Sequence, residues 1–321
     1  MIAVTGAAGF IGSCMVQQLN DAGYKDLILV DDFSLVAKNR NFVNKQFIKT
    51  IHRDVFVNYF QKNATDFDAI IHFGARTDTT ETDIALFDRL NLNYTKALWN
   101  ICSEHQIPLI YASSAATYGL GELGYEDKHD ICKKLEPLNA YGRSKNDFDI
   151  WALEQDKQPP YWAGLKFFNV YGPNEFHKGR MASVIFHTHR QINATGGMRL
   201  FRSHNPNYKD GEQQRDFIYV KDVVNMAQFL LENQKESGLY NFGTGTARTF
   251  WDLAASTFRA MKLEPNISFM DTPIDIRDKY QYFTEATMDK IRRVGYSKPF
   301  YTLEEGIEDY VQQHLMTEKY F

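Results

Sequence analysis

The chain has 321 residues, and 36 Lys and Arg against 40 Asp and Glu give a formal net charge of −4. Apolar residues make up 44% and charged residues 24%, which excludes extended disorder and suits about two domains, or one α/β domain with an embedded second lobe. The acidic balance argues against a nucleic-acid partner, and no apolar run reaches the roughly 20 residues of a membrane helix. Three scattered cysteines and the absence of a secretory signal after Met1 predict a protein of the reducing cytoplasm.

Short apolar runs alternate with helix-length amphipathic stretches in the first half of the chain. Four runs are predicted to be buried parallel strands, namely Ile2–Thr5, Leu27–Asp31, Ala69–Phe73 and Pro108–Ser113. The helices predicted between them include Phe10–Gly23 and Ile84–His105. This alternation is typical of βαβ units, so we predict an α/β fold with a Rossmann-type doubly wound parallel sheet.

Beyond about residue 172 polar loops lengthen, notably over 203–214, and strands interleave with helices. The predicted elements are Arg199–Arg202, Phe217–Val220 and Ile267–Met270 as strands, and Phe250–Met261 and Leu303–Leu315 as helices. In the last helix Leu303, Ile307, Val311 and Leu315 recur every four residues and share one face. We predict a dinucleotide-binding domain over 1–171 and a smaller C-terminal α/β lobe over 172–321 that binds the substrate, with 215–250 returning to the larger domain.

Three glycines follow the first strand and open the first helix. Gly6 permits a tight turn, Gly9 lets the backbone approach a pyrophosphate, and Gly12 lets helix and strand pack closely. The helix N-terminus offers free N–H groups and a partial positive charge to phosphates. The flanking strand and helix, together with Asp31 at the end of the second strand, favour a dinucleotide site over a strand–turn–helix with incidental glycines.

The residues near the second strand leave the cofactor open. Asp31 favours NAD, because its carboxylate accepts hydrogen bonds from a ribose diol and repels a 2′-phosphate. Asp32 adds a second negative charge, whereas Lys38 and Arg53 lie downstream and offer charges that neutralise such a phosphate. NAD and NADP are therefore both compatible with these residues.

Tyr141 and Lys145 stand four residues apart on a predicted helix, so both point from one face. An unperturbed tyrosine titrates near pH 10, and we expect the neighbouring ammonium to lower the pKa of Tyr141 towards neutrality. Ser114, at the end of a predicted strand, is expected to hold the substrate oxygen that Tyr141 deprotonates. A surface Tyr/Lys face beside a small-residue turn is the alternative, but the preceding glycine turn favours catalysis.

The glycine turn, Ser114, the Tyr141/Lys145 pair and the run Phe168-Asn169-Val170-Tyr171-Gly172-Pro173 resemble the extended short-chain dehydrogenase/reductase superfamily, whose members mostly act on nucleotide sugars. The runs 215–223 and 240–245 are similar to its C-terminal signatures, so the resemblance covers essentially the whole chain.

Three further segments, 111–119, 177–184 and 279–284, resemble one family of that superfamily, the ADP-heptose 6-epimerases. The His-Lys-Gly-x-Met-Ala-Ser-Val run over 177–184 is the most discriminating, because 4-epimerases and dehydratases of the superfamily do not normally carry it.

This resemblance implies oxidation of an ADP-heptose at C6″ by NADP, with NAD possible, and return of the hydride to the other face of the ketone, in lipopolysaccharide core synthesis. A second proton carrier is then needed on that face, and the resemblance assigns it to Lys178, for which a phosphate contact or a solvated loop charge are the alternatives. It also implies a homo-oligomer, suggested to be a pentamer, without a membrane partner. The rival functions are another nucleotide-sugar epimerase or dehydratase, although Ala115-Ala116 lack a dehydratase's acid pair, and a non-catalytic NADP-binding regulator.

The motifs and the resemblance together assign the site residues. The catalytic residues are Tyr141, Lys178, Ser114 and Lys145. The cofactor-binding residues are Gly6, Gly9, Phe10, Ile11, Gly12, Asp31, Asp32, Lys38, Arg53, Phe73, Gly74, Ala75, Arg76, Thr77, Asn91, Lys145, Val170 and Lys178. The substrate-binding residues are Ser114, Asn169, Arg180, His187, Phe201, Arg202, Ser203, His204, Arg215 and Tyr280.

Some of these assignments carry a physical argument. Arg215 suits a diphosphate, because the guanidinium fork matches phosphate oxygens. Arg180 departs from the family pattern, in which a small hydroxyl residue is commoner at that position. No metal site is predicted, since His187 and His189 diverge on a helix and no carboxylate or cysteine cluster accompanies them.

Overall fold

The structure, a computed structural model, describes residues 1–277 and 280–321. Its strands are β1 Ile2–Thr5, β2 Leu27–Asp31, β3 Lys49–His52, β4 Ala69–His72, β5 Leu109–Ser114, β6 Trp162–Phe167, β7 Asn169–Tyr171, β8 Met198–Phe201, β9 Gln214–Tyr219, β10 Gly238–Phe242, β11 Ala247–Thr249 and β12 Ile267–Met270. Its helices are α1 Phe10–Asp21, α2 Arg53–Lys62, α3 Ile84–Phe87, α4 Tyr94–His105, α5 Ala140–Leu153, α6 Val184–Thr195, α7 Val220–Asn233, α8 Phe250–Ala260, α9 Ile274–Arg277, α10 Asp289–Arg293 and α11 Leu303–Asp309. Short 3₁₀ turns include Val36–Asn41, Ala115–Tyr118 and Phe176–Met181, and π-helical turns span Asp88–Asn93 and Tyr310–Leu315.

The described residues form one large parallel sheet with the strand order β10-β6-β5-β4-β1-β2-β3. Strands β1 to β3 run outward to one edge, and β4 to β6 run outward to the other, so the order reverses between β1 and β4. Thr5 and His72 pair at the carboxyl ends of these two strands. The predicted doubly wound Rossmann-type fold is confirmed, and its switch point is where such sheets bind ligands.

Helices cover both faces of this sheet, because alternate side chains of each strand point to opposite faces. Ile2 and Val4 belong to one buried hydrophobic cluster, which also contains residues of α1 and α7. Ala3 belongs to the other, which contains Phe56 of α2 and Trp99 of α4. Burial on both faces explains why these strands read as continuous apolar runs in the sequence.

The predicted strands at 2–5, 27–31, 69–73 and 108–113 are confirmed within one residue. Strand β3 was not predicted, because it lies at the edge of the sheet and exposes most of its side chains. Lys49-Thr50-Ile51-His52 therefore needs no apolar run, and periodicity gives no signal for it.

The helix predicted over 84–105 is confirmed, with a π-helical turn in its middle. This turn, Asp88–Asn93, joins α3 to α4 and buries Asn91. Such wide turns are frequent at functional sites.

The predicted last helix likewise continues beyond α11 as a π-helical turn. Its apolar face is confirmed, since Leu303, Ile307, Val311 and Leu315 are all buried.

The second half of the chain adds two small sheets, ordered β11-β9-β7 and β12-β8. It also returns one strand, β10, to the large sheet, where it pairs with β6. The domain boundary at 171/172 stays a prediction. In the part of the chain that the structure describes, no helix combines the length and the apolar character needed to cross a membrane.

Candidate active site

The glycine-rich turn lies at the switch point of the sheet. Gly6 has a φ of +67°, and a Cβ atom there would lie 2.7 Å from the backbone nitrogen of Gly74. A Cβ atom on Gly12 would lie 2.1 Å from the carbonyl oxygen of Gly6. Helix α1 begins after Gly9 with no side chain capping its first N–H groups. The turn is therefore a tight backbone cradle with free donors, which fits the pyrophosphate of a dinucleotide.

Two acids and two cations meet beside this turn. Asp31 accepts hydrogen bonds from Ala8 N at 2.9 Å and from Lys38 Nζ at 3.0 Å. An Arg53 nitrogen (Nη2) lies 3.3 Å from an Asp32 carboxylate oxygen, and the buried Arg53 Nε has no hydrogen bond and lies 3.8 Å from Asp54 Oδ1. The cations offset the acids that would repel a phosphate, so the residues present fit a nicotinamide dinucleotide with or without a 2′-phosphate.

Tyr141 and Lys145 lie on α5, whose start is capped by Asn139 through a 2.8 Å bond from Gly142 N. Tyr141 is half-buried and lies beside the hydroxyl of Ser114, at the end of β5. Lys145 is buried and donates to the carbonyl oxygen of Ala112 at 2.8 Å. The structure thus brings Ser114, Tyr141 and Lys145 together, as the strand-end and helix positions predicted.

The electrostatics differ from the sequence argument. Burial raises the pKa of Tyr141 above its ordinary value, the Asp149 carboxylate adds to that rise, and the Ser114 hydroxyl opposes it. Burial also lowers the pKa of Lys145 to about 8. The pKa of Tyr141 thus moves opposite to the expected direction, because burial of a phenolate is the largest influence on it.

A buried ion pair that the sequence analysis missed lies behind these residues. Asp149 of α5 accepts from Lys166 Nζ at 2.8 Å, from Ser113 Oγ at 2.6 Å and from Tyr111 OH at 3.0 Å. Asp149 and Lys166 are both essentially inaccessible to solvent. The pair joins α5 to the ends of β5 and β6. No sequence spacing links these residues, since only the order of strands in the sheet brings β6 beside β5.

Lys178 lies on the 3₁₀ turn Phe176–Met181. Its Nζ is 5.2 Å from the centre of the Phe10 ring, at the first residue of α1. Burial lowers the pKa of Lys178. A residue 166 positions beyond Gly12 is thereby placed against the glycine-rich turn, which the family resemblance led us to expect.

Asn41, which the sequence analysis missed, connects that turn to the Lys178 segment. Its buried Nδ2 donates to the carbonyl oxygen of Ala8 at 2.8 Å and lies 3.2 Å from Nδ1 of His177. An asparagine in a polar stretch carries no sequence signal for such a role.

The loop after β4 is held by Asn91. Its Oδ1 accepts from Arg76 N at 2.8 Å, and its Nδ2 donates to Arg76 O and to Ser144 Oγ, both at 3.0 Å. These bonds use both donors and one acceptor position of the side-chain amide. Asn91 thus positions the loop after β4, and its contact with the cofactor stays a prediction.

Arg180 is tied to the same loop and not left free. It donates to both carboxylate oxygens of Asp78, at 3.0 and 2.9 Å, and to Thr80. Its side chain is 66% exposed. His187 follows on α6, with Nε2 3.3 Å from the carbonyl oxygen of Arg180. The two predicted substrate contacts thus adjoin each other, and the Arg180 guanidinium bridges two loops.

Arg215, in β9, lies beside the aromatic ring of Tyr280. It is buried, lies 5.5 Å from the Tyr280 ring and donates to the carbonyl oxygens of Gln214 and Gln281. Phe201 packs edge-on against Tyr280. Among the described residues no carboxylate forms an ion pair with Arg215, so this cation is available to an anionic ligand.

The neighbouring loop residues are not gathered there. Arg202 pairs with Asp210 and Asp271, both at 3.6 Å, and is half exposed. Ser203 Oγ donates to Asn205 O, and His204 is exposed. Lys279, part of the motif that singled out Tyr280, lies outside the described residues.

The remaining predicted residues lie on segments that directly follow β1, β4 and β6 of the large sheet. Phe73 packs against Phe167, and Gly74 N donates to Thr5 Oγ1 at 3.1 Å. Ile11 belongs to α1, Ala75 and Thr77 to the loop after β4, and Asn169 and Val170 to β7. Within 1–277 and 280–321, no group of His, Cys, Asp and Glu side chains has the arrangement of a metal site.

Comparisons with known proteins identify the family of the chain. The profile of the NAD dependent epimerase/dehydratase family matches residues 2–243. The chain is 49% identical to the ADP-L-glycero-D-manno-heptose-6-epimerase of Fusobacterium nucleatum subsp. nucleatum, with 99% of each chain covered. It is 49% identical to the protein of the same name from Nitratidesulfovibrio vulgaris, with 98% of each covered. The crystal structure of the Helicobacter pylori ADP-L-glycero-D-manno-heptose-6-epimerase matches with a TM-score of 0.82 and 27% identity, covering 97% of this chain and 95% of that one.

The doubly wound sheet and the glycine-rich turn at its switch point define a Rossmann-fold enzyme of the epimerase and dehydratase class. The chain belongs to the NAD dependent epimerase/dehydratase family and, within it, to the family of the ADP-L-glycero-D-manno-heptose-6-epimerases. It is an epimerase, and its family membership supports a nicotinamide cofactor.

Proposed function

We propose that this enzyme converts ADP-D-glycero-β-D-manno-heptose to its L-glycero epimer at C6″, with NADP as cofactor, and so supplies heptose for the lipopolysaccharide core. The observation that supports the proposal is that two side chains able to carry a proton lie near the carboxyl ends of strands of the large sheet. Tyr141 meets Ser114 at the end of β5, and Lys178 meets Phe10 at the glycine-rich turn.

Inversion at a carbinol carbon needs a proton carrier for each configuration. Tyr141 takes the proton of the C6″ hydroxyl, whose oxygen Ser114 holds, while the C6″–H bond breaks and its electron pair leaves with the hydrogen. When bound, the nicotinamide dinucleotide supplies the acceptor of that hydride and later its donor. The hydride returns to the opposite face of the ketone, and Lys178 donates the proton that restores the hydroxyl. Substrate and product therefore have the same oxidation state.

The surroundings of Lys178 suit this role. A lysine with an ordinary pKa stays protonated at neutral pH and cannot accept a proton. Burial lowers the pKa of Lys178, so both its charged and neutral forms are accessible nearer neutrality.

Arg215 supports the choice of a nucleoside diphosphate sugar. A buried guanidinium without a carboxylate partner is stabilised by a phosphate, whose oxygens its fork matches. The Tyr280 ring lies beside the Arg215 guanidinium, and Phe201 packs against Tyr280.

Lys38 and Arg53 support NADP. They lie beside Asp31 and Asp32, at the strand end where the adenosine ribose of a dinucleotide binds. Because these cations offset the two carboxylates, the site does not repel a 2′-phosphate as two unpaired acids would.

The test is to incubate the enzyme with ADP-D-glycero-β-D-manno-heptose and to follow the configuration at C6″ by NMR. Tyr141→Phe and Lys178→Met should each lower kcat for inversion by about 10²–10⁴-fold. Each variant should still oxidise one epimer, and not the same one, which the absorbance of reduced nicotinamide would report in a single turnover. Inversion at full rate in Lys178→Met would refute the two-carrier mechanism, and no inversion by the wild type would refute the function.

Self-association belongs to the same proposal, with a pentamer as the state that the family resemblance implies. Light scattering of the purified enzyme tests it, and a monomer at working concentration would contradict it.

A further inference from the structure

We propose that Glu175 is the positioning residue for Lys178: its buried carboxylate closes the turn that carries the lysine and supplies the negative charge that keeps the amine protonated for its donating step. The inference rests on the proposed function, in which Lys178 carries the second proton.

The contacts of Glu175 span both ends of the Lys178 turn. Its carboxylate, fully buried, accepts from Ser183 N at 2.6 Å and from Ser183 Oγ at 2.5 Å. Its own carbonyl oxygen accepts from Lys178 N at 2.9 Å. Glu175 precedes the turn Phe176–Met181, and Ser183 follows it as the N-cap of α6. Glu175 therefore links both ends of the segment, with its carbonyl oxygen at the start and its carboxylate at the end.

A further contact of the Glu175 carboxylate ties the turn to the last helical region of the chain. Tyr310 OH donates to Glu175 at 2.8 Å, across 135 positions of sequence. The three groups that contact the Glu175 carboxylate, namely Ser183 N, Ser183 Oγ and Tyr310 OH, all donate hydrogen bonds. A carboxylate accepts at both oxygens. This set favours the ionised form, although burial raises the pKa of Glu175.

The other charges around Lys178 cancel or are absent. Arg180, on the same turn, is paired with Asp78, and Lys38 is paired with Asp31. Phe10 of α1, which Lys178 Nζ approaches, is uncharged. Cys14, which lies near Glu175, is neutral as well, because burial raises the pKa of its thiol to about 12.

His177 is neutral as well. Burial, together with the charges of Lys38 and Lys178, lowers its pKa to about 4. Glu175 is thus the uncompensated negative charge among the described groups that influence Lys178, and it opposes the effect of burial on the lysine's pKa.

This arrangement answers a chemical requirement of the proposed reaction. A buried amine whose pKa falls well below the working pH is almost entirely neutral, so it carries no proton to donate when the ketone is reduced. An anion close by keeps the protonated form populated, so the lysine can both donate and accept.

The test removes the charge and keeps the shape. In Glu175→Gln, the midpoint of the Lys178 titration should fall by about one pH unit, because an opposite charge nearby raises the pKa of an amine by at least that amount. The midpoint is read by NMR of ¹³C-labelled lysine side chains in the cofactor-loaded enzyme, with Lys178→Met assigning the resonance. The limb of the kcat–pH profile that belongs to Lys178 should move by the same amount.

Tyr310→Phe is the matched control, since it deletes one hydrogen bond to Glu175 and keeps the charge. It should lower Tm and leave the Lys178 midpoint in place. Glu175→Met serves the same purpose as Glu175→Gln if the glutamine variant does not fold. An unchanged midpoint in the charge-removed variant, or an equal change in Tyr310→Phe, overturns the proposal.

The titration needs no turnover, so the two proposals fail separately. A shifted midpoint in an enzyme that does not invert C6″ would refute the proposed function and leave the Glu175–Lys178 coupling intact. Normal inversion with an unshifted midpoint would refute the role of Glu175 alone.

Discussion

The two candidate proton carriers are held in different ways. Tyr141 lies on a helix of 14 residues whose inner face is fixed by the buried Asp149–Lys166 pair. Lys178 lies on a turn of six residues, each of which is half-buried or exposed as a whole residue. Its position depends on contacts made by neighbouring side chains. Secondary structure therefore places the first carrier, and side-chain packing places the second, so substitutions should affect the two regions unequally.

The largest expected effect comes from the support of Tyr141. Asp149→Asn leaves the Lys166 ammonium buried without a counter-charge, and the free energy of unfolding should fall by about 3–5 kcal/mol in denaturant titrations. Asp149→Asn with Lys166→Met removes both charges and should recover much of that loss. If Asp149→Asn alone unfolds like the wild type, the contrast between the two regions is mistaken.

The stability of the protein should fall in acid, because His72 is buried at the switch point of the sheet. His72 is buried, with Nδ1 2.6 Å from Thr5 Oγ1 and Nε2 3.0 Å from Thr95 Oγ1, and burial lowers its pKa from 6.5 to about 3. The unfolded chain thus binds one more proton between these values, and stability should fall by about 1.4 kcal/mol for each pH unit below about 6.

His72→Gln should flatten that slope in chemical denaturation between about pH 4.5 and 6.5, a range that lies between the pKa values of His72 in the folded and unfolded states. His204→Gln, at an exposed position, should leave the slope unchanged. Equal slopes in His72→Gln and the wild type would show that His72 is already protonated in the native state.

The cation pair beside β2 offers a smaller and more selective effect. Lys38→Ala should weaken NADP binding by about tenfold and leave NAD binding nearly unchanged, because a charge-assisted hydrogen bond to a phosphate contributes about 1.5–3 kcal/mol. Isothermal titration with each cofactor measures both affinities, and Lys62→Ala, at the far end of α2, is the control. Equal losses for NAD and NADP would argue against a 2′-phosphate site.

The smallest effect is expected at the exposed pair that bridges the Lys178 turn to the loop after β4. Arg180→Ser should change kcat/KM by less than about fivefold, because solvent-exposed ion pairs contribute little. Asp78→Asn should have an equal effect, and the double variant should add nothing further. A much larger loss in Arg180→Ser alone would mean that the arginine also contacts substrate, as the family resemblance suggests.

Much of the site could be predicted from local patterns. The spacing of the three glycines after β1 and the i, i+4 relation of Tyr141 and Lys145 are properties of short segments. The strand end at Ser114 and the apolar face of the last helix are likewise local. Each follows from the geometry of one element, so no knowledge of its neighbours is needed.

The supports of the site could not be predicted in this way. Asp149 meets Lys166 only because β6 pairs with β5, and Glu175 meets Tyr310 only after the chain's last helical region returns. Asn41, in a polar stretch, was invisible for the same reason. Edge strand β3 was missed because exposure erases the apolar pattern.

The amino-acid order was thus sufficient for the fold class, for the dinucleotide turn and for the chemical types of the reacting groups, because those depend on periodicity and spacing over a few residues. Folding alone settled which distant side chains hold Lys178 and in which direction the pKa of Tyr141 moves. Burial and long-range charge depend on the whole packed molecule, and no stretch of sequence contains them.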